Sequence, residues 1–218
     1  MPALKGAFIN LGAGLLGALP NIITFQFNPE TVSRTPSLPL PLPPSNGSGR
    51  VDGTQQPDVP GETISFSLSI DATDQLVLEN NPVAATRGIH PTLAALELLM
   101  VPKSSLSIDL FKLSGGSAPS QLPASKLSTV LFVWGAFRIL PVILTSLSIN
   151  ETEFDILLNP VRAEITVNLQ VLTPSQITDS PFATGAYHYT QGVKEVMAAL
   201  NLVNAAEIGV NNSLSFLL

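Results

Sequence analysis

Apolar and small polar residues alternate over several long stretches of this chain, with the period of two that belongs to strands covered on one side. The cleanest stretch spans residues 62–70. Ile64, Phe66, Leu68 and Ile70 fall on one face, and Thr63, Ser65, Ser67 and Ser69 fall on the other. This predicts a half-buried antiparallel strand whose uncharged Ser/Thr face lines a wet channel or sits in a seam between subunits. Residues 22–27 predict an earlier strand that ends in the Asn28-Pro29 turn, with an extended continuation over 30–35. Residues 129–137 are apolar on both faces, which predicts a central or doubly covered strand with Gly135 as a bulge or close backbone approach. Residues 142–149 predict another strand. Residues 154–158 and 162–172 predict a hairpin-like pair about Asn159-Pro160, with Ile165, Val167 and Leu169 on its apolar face.

Two segments change to helical spacing. Leu93, Leu96 and Met100 recur at i, i+3 and i+7 behind Pro91, and Pro102 stops the run, so a short helix is predicted over 91–100. Val193, Val196, Met197 and Leu200 form a second stripe, which predicts a helix from Thr190 or Gln191 to about Ala206. Tyr187-His188-Tyr189 is assigned to the loop before it. Between the periodic elements lie a turn over 71–79, a short strand or helix end over 106–110 and a Gly/Ser/Pro loop over 114–125. Residues 213–218 are apolar and read as a small strand or a docking tail. In residues 36–61, Pro36, Pro39, Pro41, Pro43 and Pro44 interleave with leucines, then give way to a polar stretch. Proline removes ladder donors and favours polyproline II, so this is a long loop lying on a neighbour, or a disordered insertion.

Residues 6–19 are rich in Gly, Ala and Leu behind the single charge of Lys5. The stretch is too short and too broken for a transmembrane helix, which needs about 20 apolar residues. No small-residue cleavage context separates it from the strand that follows. The reading adopted is a structured N-terminal arm, with a signal peptide or a membrane contact as the alternatives.

Composition narrows the class. Charged residues make up 12% of the chain and apolar ones 45%, with a mean hydropathy of +0.36. Ordinary soluble domains carry about 25% charge. Such a surface belongs to a large, low-charge β protein, to a subunit covered by its neighbours in an assembly, or to a protein inserted in a membrane. The net charge is −6 and the 10 Lys and Arg are scattered singly, so no basic stripe exists for nucleic acid. Cysteine is absent, which excludes disulfides and thiolate chemistry.

Catalytic chemistry is sparse. His90 and His188 stand far apart with no ligand spacing around them, so no metal site is expected. No serine sits in a GxSxG elbow. Asp71 and Asp74 form a possible carboxylate pair, but their place after a strand is that of an Asx-turn. Glu151, Glu153 and Asp155 have the residue types for general acid and base catalysis, or form a solvated or lumen-facing acidic strand end. Gly12-Ala13-Gly14 lacks the lysine of a phosphate loop. The expectation is a protein without enzymatic activity, cofactor or metal.

Four segments in order carry a family likeness. Ile23 to Pro29 ends Phe-Asn-Pro through Phe27, Asn28 and Pro29. The strand from Ile64 to Asp71 follows the first loop. Val130 to Gly135 ends Phe-Val-Trp-Gly, and the last β pair contains Asn159-Pro160-Val161-Arg162-Ala163-Glu164. Over residues 20–172 the chain resembles the tube-fold domain of contractile injection systems, the phage-tail-like particles. Within them it is most similar to the baseplate protein that joins tube and spike and often carries a peptidoglycan-binding LysM module.

The resemblance implies a mainly β fold of two packed antiparallel sheets, barrel-like, with a flanking short helix and here a C-terminal helical extension. It divides the chain into an arm over 1–19, a β domain over 20–172 carrying the insertion at 36–61, and an extension over 173–218 that does not look like LysM. It further implies a structural component forming a six-subunit ring that matches a six-fold tube to a three-fold spike. Its partners would be further copies, the spike or hub protein, the inner tube protein and baseplate wedge components. Assembly is expected in the cytoplasm, with the mature particle cytoplasmic, membrane-anchored or extracellular. The alternatives are an inner tube or tube-initiator subunit of the same kind of particle, and a membrane-associated binding module. Phe25, Phe27, Trp134 and Phe154 are expected as core anchors. Arg162 is expected to pair with Glu164 or with a neighbour's carboxylate, between subunits.

Overall fold

A computed structural model describes residues 4–11, 21–38, 59–73, 86–102, 127–178 and 180–207. Seven strands form the body of the fold: β1 (Ala7–Asn10), β2 (Asn21–Thr24), β3 (Val32–Ser37), β4 (Gly61–Asp71), β5 (Val130–Val133), β6 (Ile139–Phe154) and β7 (Pro160–Val171). Two helices, α1 (His90–Leu98) and α2 (Pro181–Glu207), complete the described elements. All seven strands belong to one antiparallel sheet in the order β2-β1-β5-β6-β7-β4-β3. The fold is mainly β with a flanking short helix and a C-terminal helix, as the chain's periodicity predicts.

The two packed layers come from one sheet folded over on itself. In a flat sheet, β1 and β4 would lie about 19 Å apart, four strand spacings. Instead the ring of Phe8 on β1 stacks with that of Phe66 on β4 at a centroid distance of 6.3 Å. The fold runs along β6. Its first residues pair with β5 and the remainder with β7, and Val142 has partners on both sides, Val130 and Val171. A register shift between Leu144 and Ser146 bends the strand just beyond that point. Phe8, Phe25, Phe66 and Phe132 meet inside the fold, with Trp134 stacked on Phe132 at 6.0 Å. Alternate residues of β4 and β7 fill the rest of the core, from Ile64 to Ile70 and from Ala163 to Val171.

The sheet is not closed by a backbone ladder. The β3–β4 ladder ends at Val32 and Phe66, and β4 continues to Asp71. Opposite that free length lies the outer edge of β2. One side chain spans the gap: the Gln26 amide donates to the Asp71 carbonyl (2.6 Å) and accepts from the Asp71 N–H (2.9 Å), imitating a ladder rung.

Several boundaries differ from the sequence expectation. The 22–27 strand stops at Thr24, and Ala7–Asn10 within the expected arm is itself a strand, inserted between β2 and β5. The 129–137 strand stops at Val133. Gly135 is not a bulge but the positive-φ residue (73°) of the β5–β6 turn, which Trp134 N–H closes on the Arg138 carbonyl at 2.8 Å. β6 is far longer than 142–149, running to Phe154, and Asn159-Pro160 opens β7 instead of standing at the hairpin's centre.

The C-terminal helix begins at Pro181 instead of 190, so Tyr187-His188-Tyr189 is helical. Pro181 suits the first helical position, and Ser180 caps it through its hydroxyl to Ala183 N–H. Of the loop expected over 36–61, Pro36 and Ser37 pair with Glu62 and Gly61, which an edge strand tolerates, and 39–58 lie outside the described residues. Also outside them are 12–20, Asp74, the expected elements at 106–110 and 114–125, and the segment 213–218.

Candidate assembly surfaces

The most exposed apolar group of the described chain is the β6–β7 turn. Ile156 is 99% exposed, Leu157 73% and Leu158 78%. The turn is nevertheless tightly held. Asp155 Oδ1 accepts from the N–H of Leu157 (2.7 Å) and of Asn159 (2.8 Å), while Asn159 Nδ2 donates to Asp155 Oδ2 (2.8 Å). Backbone bonds from Asp155 N–H to Asn159 O and from Leu158 N–H to Asp155 O complete the cage. The Asn159 hydrogen bonds come first in holding the Asp155 carboxyl below the usual carboxylate range. Leu158 sits at φ 63°, a left-handed conformation costly for leucine.

The base of the hairpin is anchored to the segment before α1. Ile89 N–H donates to the Pro160 carbonyl (2.9 Å), and a Cβ on Gly88 (φ 56°) would collide with that same oxygen. One rung further, Arg162 Nε and Nη2 both donate to Asp71 Oδ2 (2.9 and 2.6 Å), and Nη1 donates to Glu153 Oε1 (2.7 Å). These ion pairs run within the chain and across three adjacent strands. Glu164, the expected partner, stands opposite Ser69 and Asn150 in the ladders. Burial pushes the Asp71 carboxyl up, but hydrogen bonds from Thr73 and Arg162 prevail and hold it down. The Asp71–Thr73 contact is the Asx-turn that the sequence suggested.

Phe25 and Trp134 lie in the aromatic core. Phe27 (44% exposed) and Phe154 (51% exposed) do not, which corrects their expected role as core anchors. Phe27 falls beyond the end of β2, and Phe154 ends β6 at the projecting tip, where no second layer of described residues covers it. Asn28 pins the N-terminal segment: its Oδ1 accepts from Gly6 N–H (2.9 Å) and its Nδ2 donates to Leu4 O (2.7 Å). Pro29 borders a shallow hollow with Phe27, Asn28 and Glu164.

A cleft of about 280 Å³ opens where the sheet fails to close. Ile22, Ile23, Leu68 and Ile70 form its walls, and Pro91, Thr92, Ala95 and Leu96 of α1 form its roof. Among the described residues, no charged one lines it. The face of Ser/Thr residues on β4 lies outside the fold, alongside Thr166, with Ser67 and Thr166 hydroxyls at 3.4 Å.

The third surface is α2. Its first half packs on the sheet through Ala183, Tyr187 and Thr190. The Thr190 hydroxyl donates to Ile139 O (2.7 Å) and accepts from Ile139 N–H (3.1 Å). Glu62, 6% exposed, is clamped between Arg34 of β3 and Lys194 of α2. Burial pushes the Glu62 carboxyl up, but Arg34 and Lys194 outweigh it and hold it below the usual range. Beyond Lys194, the stripe of Val196, Met197 and Leu200 is exposed.

The buried Glu62, the Gln26 rung and the Asp155 cage were not singled out by sequence reasoning. A Glu at the head of a strand whose next eight residues are all Ser, Thr or apolar was the one available signal. Among the described residues no three His, Asp or Glu side chains converge as a metal site, and no helix is long and apolar enough to cross a membrane. The acidic cluster at 151–155 is engaged structurally: Glu153 with Arg162, and Asp155 with its own turn.

A comparison with curated proteins finds no match. A folded-over sheet with exposed apolar ends offers surfaces that neighbouring subunits could cover. In keeping with it, residues 17–177 match the family described as contractile injection system tube protein, and the chain belongs to that family.

Proposed function

We propose that this protein is a baseplate component of a contractile injection system, forming a six-subunit ring that joins the inner tube to the spike. The observation that carries the reading is α2. It lies beyond the family-matched residues 17–177, is docked by its first half, and extends an uncovered apolar stripe past Lys194. A subunit that only stacks on copies of itself needs no such added surface. One that meets unlike neighbours does. The partners in this reading are further copies, the tube protein, the spike or hub protein and wedge components. Assembly takes place in the cytoplasm.

The family description favours a second reading, an inner tube or tube-initiator subunit. Labelling the subunit in assembled particles separates the two. A single labelled layer at the tube–spike junction is the expected result. Label along the whole tube overturns the adaptor reading and establishes the second.

A further inference from the structure

The β6–β7 turn combines three features that folding alone does not explain. Three successive large aliphatic side chains point into solvent. The turn is caged by Asp155 and Asn159, so it does not collapse to hide them. Leu158 also occupies a left-handed position that Gly or Asn would fill at less cost, although its exposed side chain gains little from its own chain. A fixed, strained and exposed apolar tip is built for contact with something outside the subunit.

The same chain carries a receptor of matching chemistry. Among the described residues, the cleft between the β2 edge and α1 has no charged lining, is walled by Ile22, Ile23, Leu68 and Ile70, and has an open mouth. The tip is not placed to fill its own cleft. Leu68 and Ile70 pair with Ile165 and Ala163, whereas the tip lies beyond Pro160, roughly 15 Å further along the strand direction. A protruding patch and a hollow at different places on one surface give a head-to-tail contact between copies. Repeated, that contact closes into a ring or grows into a filament.

We infer that Ile156, Leu157 and Leu158 of one copy seat in the cleft under α1 of the next copy, making the head-to-tail contact of the ring. This rests on the ring proposed above and names the surface that makes it. The hairpin supplies reach and the Asp155 cage supplies preorganisation, so little conformational entropy is lost on docking. The Arg162 ion pairs and the Ile89–Pro160 bond hold the hairpin base at a fixed angle to the subunit's own α1.

The absence of cysteine permits a clean crosslinking test. Leu157→Cys and Thr92→Cys variants of the full chain are prepared separately, mixed and oxidised. A disulfide-linked dimer that forms in the mixture and not in either variant alone is expected. Dimer from Leu157→Cys alone would mean tip-to-tip contact and overturn the inference, as would a mixture that gives no more dimer than its components.

A second variant, Ile156→Ser/Leu157→Ser/Leu158→Asn, is examined by sedimentation and thermal melting. The melting temperature is expected to hold or rise, while self-association weakens at least tenfold. Rings that form at wild-type concentrations in this variant overturn the inference and leave the ring reading intact. Wild-type chains that stay monomeric at every concentration, alone and in particle extracts, overturn both.

Discussion

Leu158 and Gly88 show how one dihedral angle separates two roles. Both have positive φ, 63° and 56°. At Gly88 the conformation is matched by the residue and enforced by space, because the Pro160 carbonyl occupies the position a Cβ would take. Gly88→Ala is therefore expected to cost about 2 kcal/mol or more, read as a lower urea midpoint at unchanged m-value. At Leu158 the residue opposes the conformation. Leu158→Asn is expected to raise stability by about 1 kcal/mol, read as a higher melting temperature, because Asn tolerates the left-handed region. Turn positions at this scale were partly legible: Asn159-Pro160 flags the β6–β7 reversal but stands after it, at the start of β7, and Asn28 bonds to the distant Gly6 and Leu4 instead of its own turn. The exposure of Phe27 and Phe154 was not. Their side chains resemble those of Phe25 and Phe66, and only the position where each strand leaves the double layer decides whether a ring is covered.

At the scale of elements, α2 is held to the sheet by two polar contacts as well as by Ala183 and Tyr187. Thr190 satisfies both backbone groups of Ile139, the first residue of β6. Thr190→Val keeps the shape and leaves both groups unpaired, so a loss of about 2–4 kcal/mol and faster proteolysis near α2 are expected. Glu62 ties β3 and α2 to β4. Its folded-state pKa lies below the ordinary 4.5, so its contribution is present above that value and is lost as pH falls through the depressed folded value. The difference in melting temperature between wild type and Glu62→Gln should accordingly be largest near pH 7 and close as pH drops below about 4.5. The helical stripe of α2 was visible from Val193 onward, whereas its first turns were hidden. Gly185 and Gly192 weaken the helical pattern there, and the packing of Tyr187 against the sheet overrides the propensity.

For the whole molecule, the decisive event is the fold of one sheet along β6. Phe66 stands where the halves meet, touching Phe8, Phe25 and Phe132 across the interior. Phe66→Ala is expected to cost about 3–5 kcal/mol, more than the loss of a ring that packs within one layer, and denaturant titration gives the value directly. The charge balance of the exterior matches the proposed assembly. With 12% charged residues in the chain, the proposed ring would cover the apolar tip, cleft and helix stripe that one subunit leaves in solvent.

Period-two alternation over 62–70 and 162–172 and the helical spacing at Leu93 and Leu96 were determined by the sequence alone. These are local properties, since the face on which a side chain falls follows from backbone geometry within a few residues. The tertiary structure decided what is long-range. It made β1 a strand, because four residues of a Gly-rich arm gain ladder partners only when β2 and β5 stand on either side. It left β2 and the end of β4 unjoined, so that a glutamine side chain bridges the gap and a cleft opens beneath α1. It carried Ile156, Leu157 and Leu158 out of reach of any core. Apolar composition predicts burial only on average; which apolar residues remain in solvent depends on where strands distant in sequence come to rest.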